Sequence, residues 1–115
     1  MSYMLLIVEP QGERRTRAPQ EGRGLYHRML DYTASLKARG VLLASDSLRA
    51  PAARLSIRGG RQSVLDGPFT ESKELVGGFF LLDCVTREQA LGLAAECPAA
   101  EWATIEVREI GPCYE

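Results

Sequence analysis

The chain has 115 residues, 14 basic against 15 acidic, and a formal net charge of −1. So even a balance gives no broad electrostatic pull toward nucleic acid or an anionic membrane. The length, with 45% hydrophobic residues, suits one globular domain over residues 1–115 with a core that needs no disulfide or metal staple. No apolar run approaches the ~20 residues of a membrane span. The N-terminus lacks the basic and apolar regions of a secretion signal, so the expected location is the cytoplasm. Cys84, Cys97 and Cys113 are widely spaced and form no C-x-x-C pair. With one histidine and scattered carboxylates, no metal site is expected, and no cofactor. Cys84 and Cys97 stand in apolar contexts as core fillers, and Cys113 in the tail is expected to be exposed.

In chain order, Tyr3 to Val8 is apolar at every position and predicts a strand that needs a cover on both faces. Gln11 to Gly24 is polar and glycine-bearing, with Arg14, Arg15, Arg17 and Arg23, and predicts a mobile loop or lid. Leu25, Met29, Tyr32 and Leu36 recur at helical spacing, and Gly40 ends that helix. Val41 to Ala44 predicts a strand, broken by Ser45-Asp46-Ser47. Arg54 to Arg58 and Arg61 to Leu65 flank Gly59-Gly60, as in a two-residue hairpin. Val76 to Val85 predicts the strongest strand, with Gly77-Gly78 allowing a bulge or a close approach. Thr86 and Gln89 fit a capping box for a second helix through Ala90, Leu91, Ala94 and Ala95, ended by Pro98. Ala103 to Glu109 alternates as a last strand. The result is a two-layer α+β sandwich with an inserted hairpin. Two helices cover only one sheet face, which leaves the other for a second subunit.

The most distinctive stretch is Asp66-Gly67-Pro68-Phe69-Thr70-Glu71-Ser72-Lys73-Glu74. Asp, Gly and Pro are turn-formers: Asp accepts from the backbone two residues on, Pro fixes φ, and Phe69 re-enters the core. This run, with Gly77-Gly78-Phe79, resembles the signature of the DGPF proteins, a branch of the YCII-related family. Tyr3-Met4-Leu5-Leu6-Ile7 and Cys97-Pro98-Ala99-Ala100 are similar to that family's ends. The resemblance implies a ferredoxin-like domain pairing as a dimeric α/β barrel. It also implies either lyase- or isomerase-type chemistry with a His–Asp pair or association with an extracytoplasmic-function sigma factor.

Two functions compete. In one, the chain is a non-catalytic homodimer that binds a small ligand or a protein such as a sigma factor. In the other it is a lyase- or isomerase-type enzyme whose substrate sits in a pocket between the sheet and the first helix. Asp66 would then be the acid or base at the sheet edge, Lys73 or Arg49 would hold an anion, and Glu71 and Glu74 would stand nearby. His27 is the natural partner for Asp66 because it titrates near neutrality. At roughly 100° per residue, however, it lies opposite the centre of the apolar stripe and should face solvent. Tyr26 lies beside the stripe, where it would line a cleft. Direct nucleic-acid binding is not expected, since no aromatic residues interleave with Arg14, Arg15, Arg17 and Arg23.

Overall fold

The computed structural model describes residues 2–69 and 71–115. Met1, in the expected first strand, and Thr70, inside the motif, lie outside the described residues. Four strands form one antiparallel sheet in the order β2-β5-β1-β6, with β1 at Ser2–Pro10, β2 at Leu42–Ser47, β5 at Glu74–Asp83 and β6 at Thr104–Glu109. Strands β3 (Ala53–Arg58) and β4 (Arg61–Asp66) pair separately as a hairpin. Helix α1 (Pro19–Ala38) joins β1 to β2, and α2 (Arg87–Ala95) joins β5 to β6. Each helix thus links two parallel strands with a third lying antiparallel between them, which is the split β-α-β arrangement of a ferredoxin-like fold.

Burial along β1 follows the two-residue period of a strand. Tyr3, Leu5, Ile7 and Glu9 are buried under the helices, while Met4, Leu6 and Val8 face the other side and stay half-buried. On β5, Phe80 and Leu82 join the first set. The C-terminal half of α1 closes this core with Tyr32 and Leu36. Tyr32 meets Phe80 edge-on at 5.2 Å between ring centroids, and its hydroxyl donates to the Leu93 carbonyl at 2.7 Å. Burial pushes that hydroxyl's pKa up. Cys84 and Cys97 are buried in the core, which raises their thiol pKa values, and Cys113 is exposed.

Several expectations need correction. The expected loop at 11–24 is a 3₁₀ turn (Glu13–Thr16) followed by the first turns of α1. Pro19 opens the helix, where its missing N–H costs nothing, and Gly22 and Gly24 are carried inside it. Glycine and arginine content masked a helix that tertiary contacts hold. Strand β2 runs on through Ser45, Asp46 and Ser47, because their backbones pair with Phe80, Phe79 and Gly78. In α2 the buried residues are Ala90, Leu93 and Ala94, while Leu91 is half-exposed. The Thr86 cap holds: its hydroxyl accepts from Gln89 N at 3.1 Å, and Gln89 Oε1 accepts from Val85 N at 2.9 Å.

Candidate functional site: the cleft between the first helix and the sheet

The N-terminal half of α1 does not seal onto the sheet. Here the sheet carries small residues, Gly77 and Gly78 on β5 and Ser45 and Ser47 on β2, and the helix carries Gly22. A cleft of about 620 Å³ remains between them. Ile7 and Phe80 from the sheet line it on one side, and Leu25, Tyr26, Met29 and Leu30 from α1 on the other. Trp102, just beyond the short 3₁₀ turn Pro98–Glu101, also lines it. Arg28 fixes that corner: it grips Glu101 with both guanidinium nitrogens and stands 5.5 Å from the Trp102 ring centroid. That guanidinium holds the Glu101 carboxyl below its usual range.

One end of the cleft is ionic. Glu9 is the buried charged residue of the described chain, and Arg14 Nε is paired with its Oε1. Arg14 also donates to the Leu48 carbonyl (2.7 Å) and the Gly77 carbonyl (3.2 Å). It therefore ties the 3₁₀ turn to β1, to β5 and to the segment after β2. Gly77 is the extra residue of a bulge opposite Ile7 and Val8. A Cβ there would stand 2.6 Å from Arg14 Nη2 and 2.7 Å from Glu9 Oε2, so the pair fits only because that position has no side chain. Glu9 Oε1 is in ionic contact with Arg14 but has no aligned hydrogen-bond donor among the described residues. Arg17 and Arg49 also line the cleft, with Asp46 and Thr33.

The residues singled out from sequence divide. Tyr26 and Arg49 line this cleft. His27 is on the exposed face of α1, as its helical phase predicts, and does not line the cleft. Asp66 ends the exposed strand β4, with Ala53 as its paired residue, and does not line it either. The structure therefore does not bring His27 and Asp66 together around a pocket. Nor does Asp66 act on the backbone two residues on, because Pro68 has no N–H. The turn is held instead by Gly67 N–H donating to the Ala52 carbonyl at 2.8 Å. Phe69 does not re-enter the core: it is half-buried at the hairpin base, with the Arg54 guanidinium 3.8 Å from its ring centroid. Glu71 and Lys73 are exposed, and the Lys73 carbonyl accepts from Gln11 N at 2.8 Å. Glu74 lines a second depression of about 450 Å³ with Arg49, Arg54 and Phe69.

Sequence reasoning missed Glu9 and Arg14 as a pair. The available signal was a lone carboxylate in phase with Tyr3, Leu5 and Ile7, which places it on the buried face of β1.

The sequence matches the YCII-related domain over residues 1–113. The chain belongs to the YCII-related family. Among curated proteins, an uncharacterised protein of Rhizobium meliloti (strain 1021) is 41% identical over 61 residues, 51% of this chain and 49% of that one. The match thus spans about half the length of that relative. Among solved structures, the family member's fold is similar to that of 5-chloro-2-hydroxyhydroquinone dehydrochlorinase from Burkholderia phenoliruptrix AC1100, in complex with 2,5-dihydroxybenzoquinone. The TM-score is 0.57 at 15% identity, covering 96% of this chain and 94% of that one. At that identity the likeness is one of fold.

Proposed function

We propose that this YCII-related chain works as a homodimeric small-molecule-binding domain whose ligand occupies the cleft between α1 and the sheet. The cleft carries the reading. Its volume of about 620 Å³ falls within the usual span of small-molecule sites, and it combines an apolar wall with a few fixed polar groups at one end. Three observations support the dimer. Met4, Leu6, Val8, Phe79 and Leu81 leave a half-buried apolar sheet face with no helix over it. The hairpin exposes Leu55, Ile57 and Val64, and an isolated two-stranded hairpin is marginal in water. The radius of gyration is 16.0 Å, against ~13 Å for a compact chain of this length. Reduced, core-buried cysteines suit a cytoplasmic setting. A sigma factor is a partner through which ligand occupancy would be read out, and co-purification with and without ligand tests that.

A second reading, enzymatic, is favoured by one observation: a buried carboxylate, Glu9, reaches the cleft. An acid–base role therefore passes from Asp66 to Glu9. The flat dihydroxybenzoquinone held by the dehydrochlorinase is the kind of body such a cleft would take. In this reading Glu9→Gln abolishes turnover while ligand still binds, and Asp66→Asn changes neither.

The binding reading is tested by filling the cleft. Gly22 lines it, and a Cβ there meets nothing within 4 Å. Gly22→Leu should fold, gain roughly 0.5–1 kcal/mol from helix propensity, and lose the ligands that wild type binds in a thermal-shift screen. A Gly22→Leu protein that binds the same ligands equally well would refute the site. Light scattering tests the dimer: wild type should be dimeric at micromolar concentration and Leu6→Lys monomeric. A monomeric wild type would refute it.

A further inference from the structure

The cleft reading leaves the chemistry of the ligand open, and the charges around the cleft constrain it. Three arginines, Arg14, Arg17 and Arg49, line it against two carboxylates, Glu9 and Asp46. Arg14 is committed to Glu9 and to two backbone carbonyls. Asp46 accepts from the Ser47 N–H at 3.0 Å. That leaves Arg17 and Arg49 as the cations not fully engaged. Among the described residues Arg17 has only a loose contact with Glu13, at 3.6 Å, although its side chain is just 14% exposed. Arg49 has no ion pair or hydrogen bond among the described residues, and it faces both this cleft and the neighbouring depression. Arg17 leads directly into α1, whose first turn has no side-chain cap at Ala18, so the helix dipole adds to the positive field there. Helix α1 and the segment after the last 3₁₀ turn supply an apolar and aromatic lining: Leu25, Tyr26, Met29, Leu30 and Trp102.

From this polarity we infer that the ligand is an amphipathic organic acid, with a flat apolar body against the α1–Trp102 wall and its anionic group between Arg17 and Arg49. The inference rests on the cleft being the ligand site. A guanidinium matches a carboxylate in a bidentate fork, and an amide of the same shape cannot supply the charge. An apolar body without an anion leaves both arginines unpaired. An anion without an apolar body leaves the aromatic wall wet.

The probes are 2-naphthoate and 2-naphthamide, equal in shape and different in charge. Binding is measured by calorimetry with wild type and Arg49→Met. Trp102 is the sole tryptophan, so its indole N–H resonance reports whether the probe reaches the cleft. The expected result is binding of naphthoate at least tenfold tighter than naphthamide, with the Trp102 resonance shifted. Arg49→Met should weaken naphthoate at least fivefold and leave naphthamide unchanged. If both probes shift Trp102 and bind equally, the anion inference is overturned and the cleft stands. If Arg49→Met weakens both probes alike, the assignment of Arg49 to the anion falls. If neither probe moves Trp102 while Gly22→Leu binds the same ligands as wild type, the cleft reading fails as well.

Discussion

Replacing Gly77 by alanine adds one methyl group where the Glu9–Arg14 pair stands. The new Cβ would lie 2.6 Å from Arg14 Nη2 and 2.7 Å from Glu9 Oε2, well inside contact distance. Arg14, 36% exposed at its side chain, is the partner able to move. Its movement sacrifices two charge-assisted bonds to the Leu48 and Gly77 carbonyls and loosens its hold on Glu9. Glu9 is 8% exposed at its side chain and cannot follow into water. Removing the partner of a buried charge costs about 3–5 kcal/mol. Partial rehydration of Arg14, and the smaller entropy loss of alanine in a strand, offset roughly 1 kcal/mol of that. The expected loss is therefore about 2–4 kcal/mol, or roughly 8–16 °C for a domain of this size. Urea unfolding measures it. The decisive comparison is Gly77→Ala in the background Glu9→Ala/Arg14→Ala, where the space is vacant and no buried charge remains. There the substitution should be neutral within about 0.5 kcal/mol. A wild-type cost below about 0.5 kcal/mol, or the same cost in both backgrounds, would refute the argument.

Two further outcomes follow from burial. Cys84 and Cys97 are buried with raised thiol pKa values and Cys113 is exposed, so a disulfide reagent near pH 8 should titrate one thiol in the native protein and three after denaturation. Two or three fast thiols in the native state would contradict the core assignment. The Tyr32 hydroxyl is raised by burial, so above pH ~10 the unfolded chain releases that proton while the folded chain keeps it. Its stabilisation is thus complete below pH ~10 and declines by about 1.4 kcal/mol per pH unit above it. Tyr32→Phe should flatten the slope of unfolding free energy between pH 10 and 11; an unchanged slope would show that Tyr32 ionises freely.

Period and punctuation made most of the fold legible. The hairpin about Gly59-Gly60, the Thr86 cap and the alternation of β6 are local signals, and each stands where the sequence puts it. The errors share a cause. At residues 11–24 and at Ser45 to Ser47, polar and small residues read as loop; of these, Arg14, Arg17, Gly22, Ser45, Asp46 and Ser47 line a cleft instead of filling a core. Local propensity is weakest where a fold leaves room. The same effect hid the ionic residues Glu9 and Arg14 of a cleft expected between the sheet and the first helix. The Asp66–Glu74 run stands out in the sequence because its polar residues are consecutive, and in the fold it lies between the hairpin and β5. Glu9, Arg14, Arg17, Arg49 and Trp102 come from separate segments of the chain and meet around the cleft only in the fold.

The most direct test of the central claim is a nitrogen–proton correlation spectrum of the labelled protein, titrated with a panel of small aromatic fragments. The account predicts that the largest shifts fall on Gly77, Gly78, Ser45 and the Trp102 indole, around the cleft. Shifts concentrated instead on Gly67, Phe69 and Ser72, with the cleft residues unmoved, would contradict it and return the site to the turn.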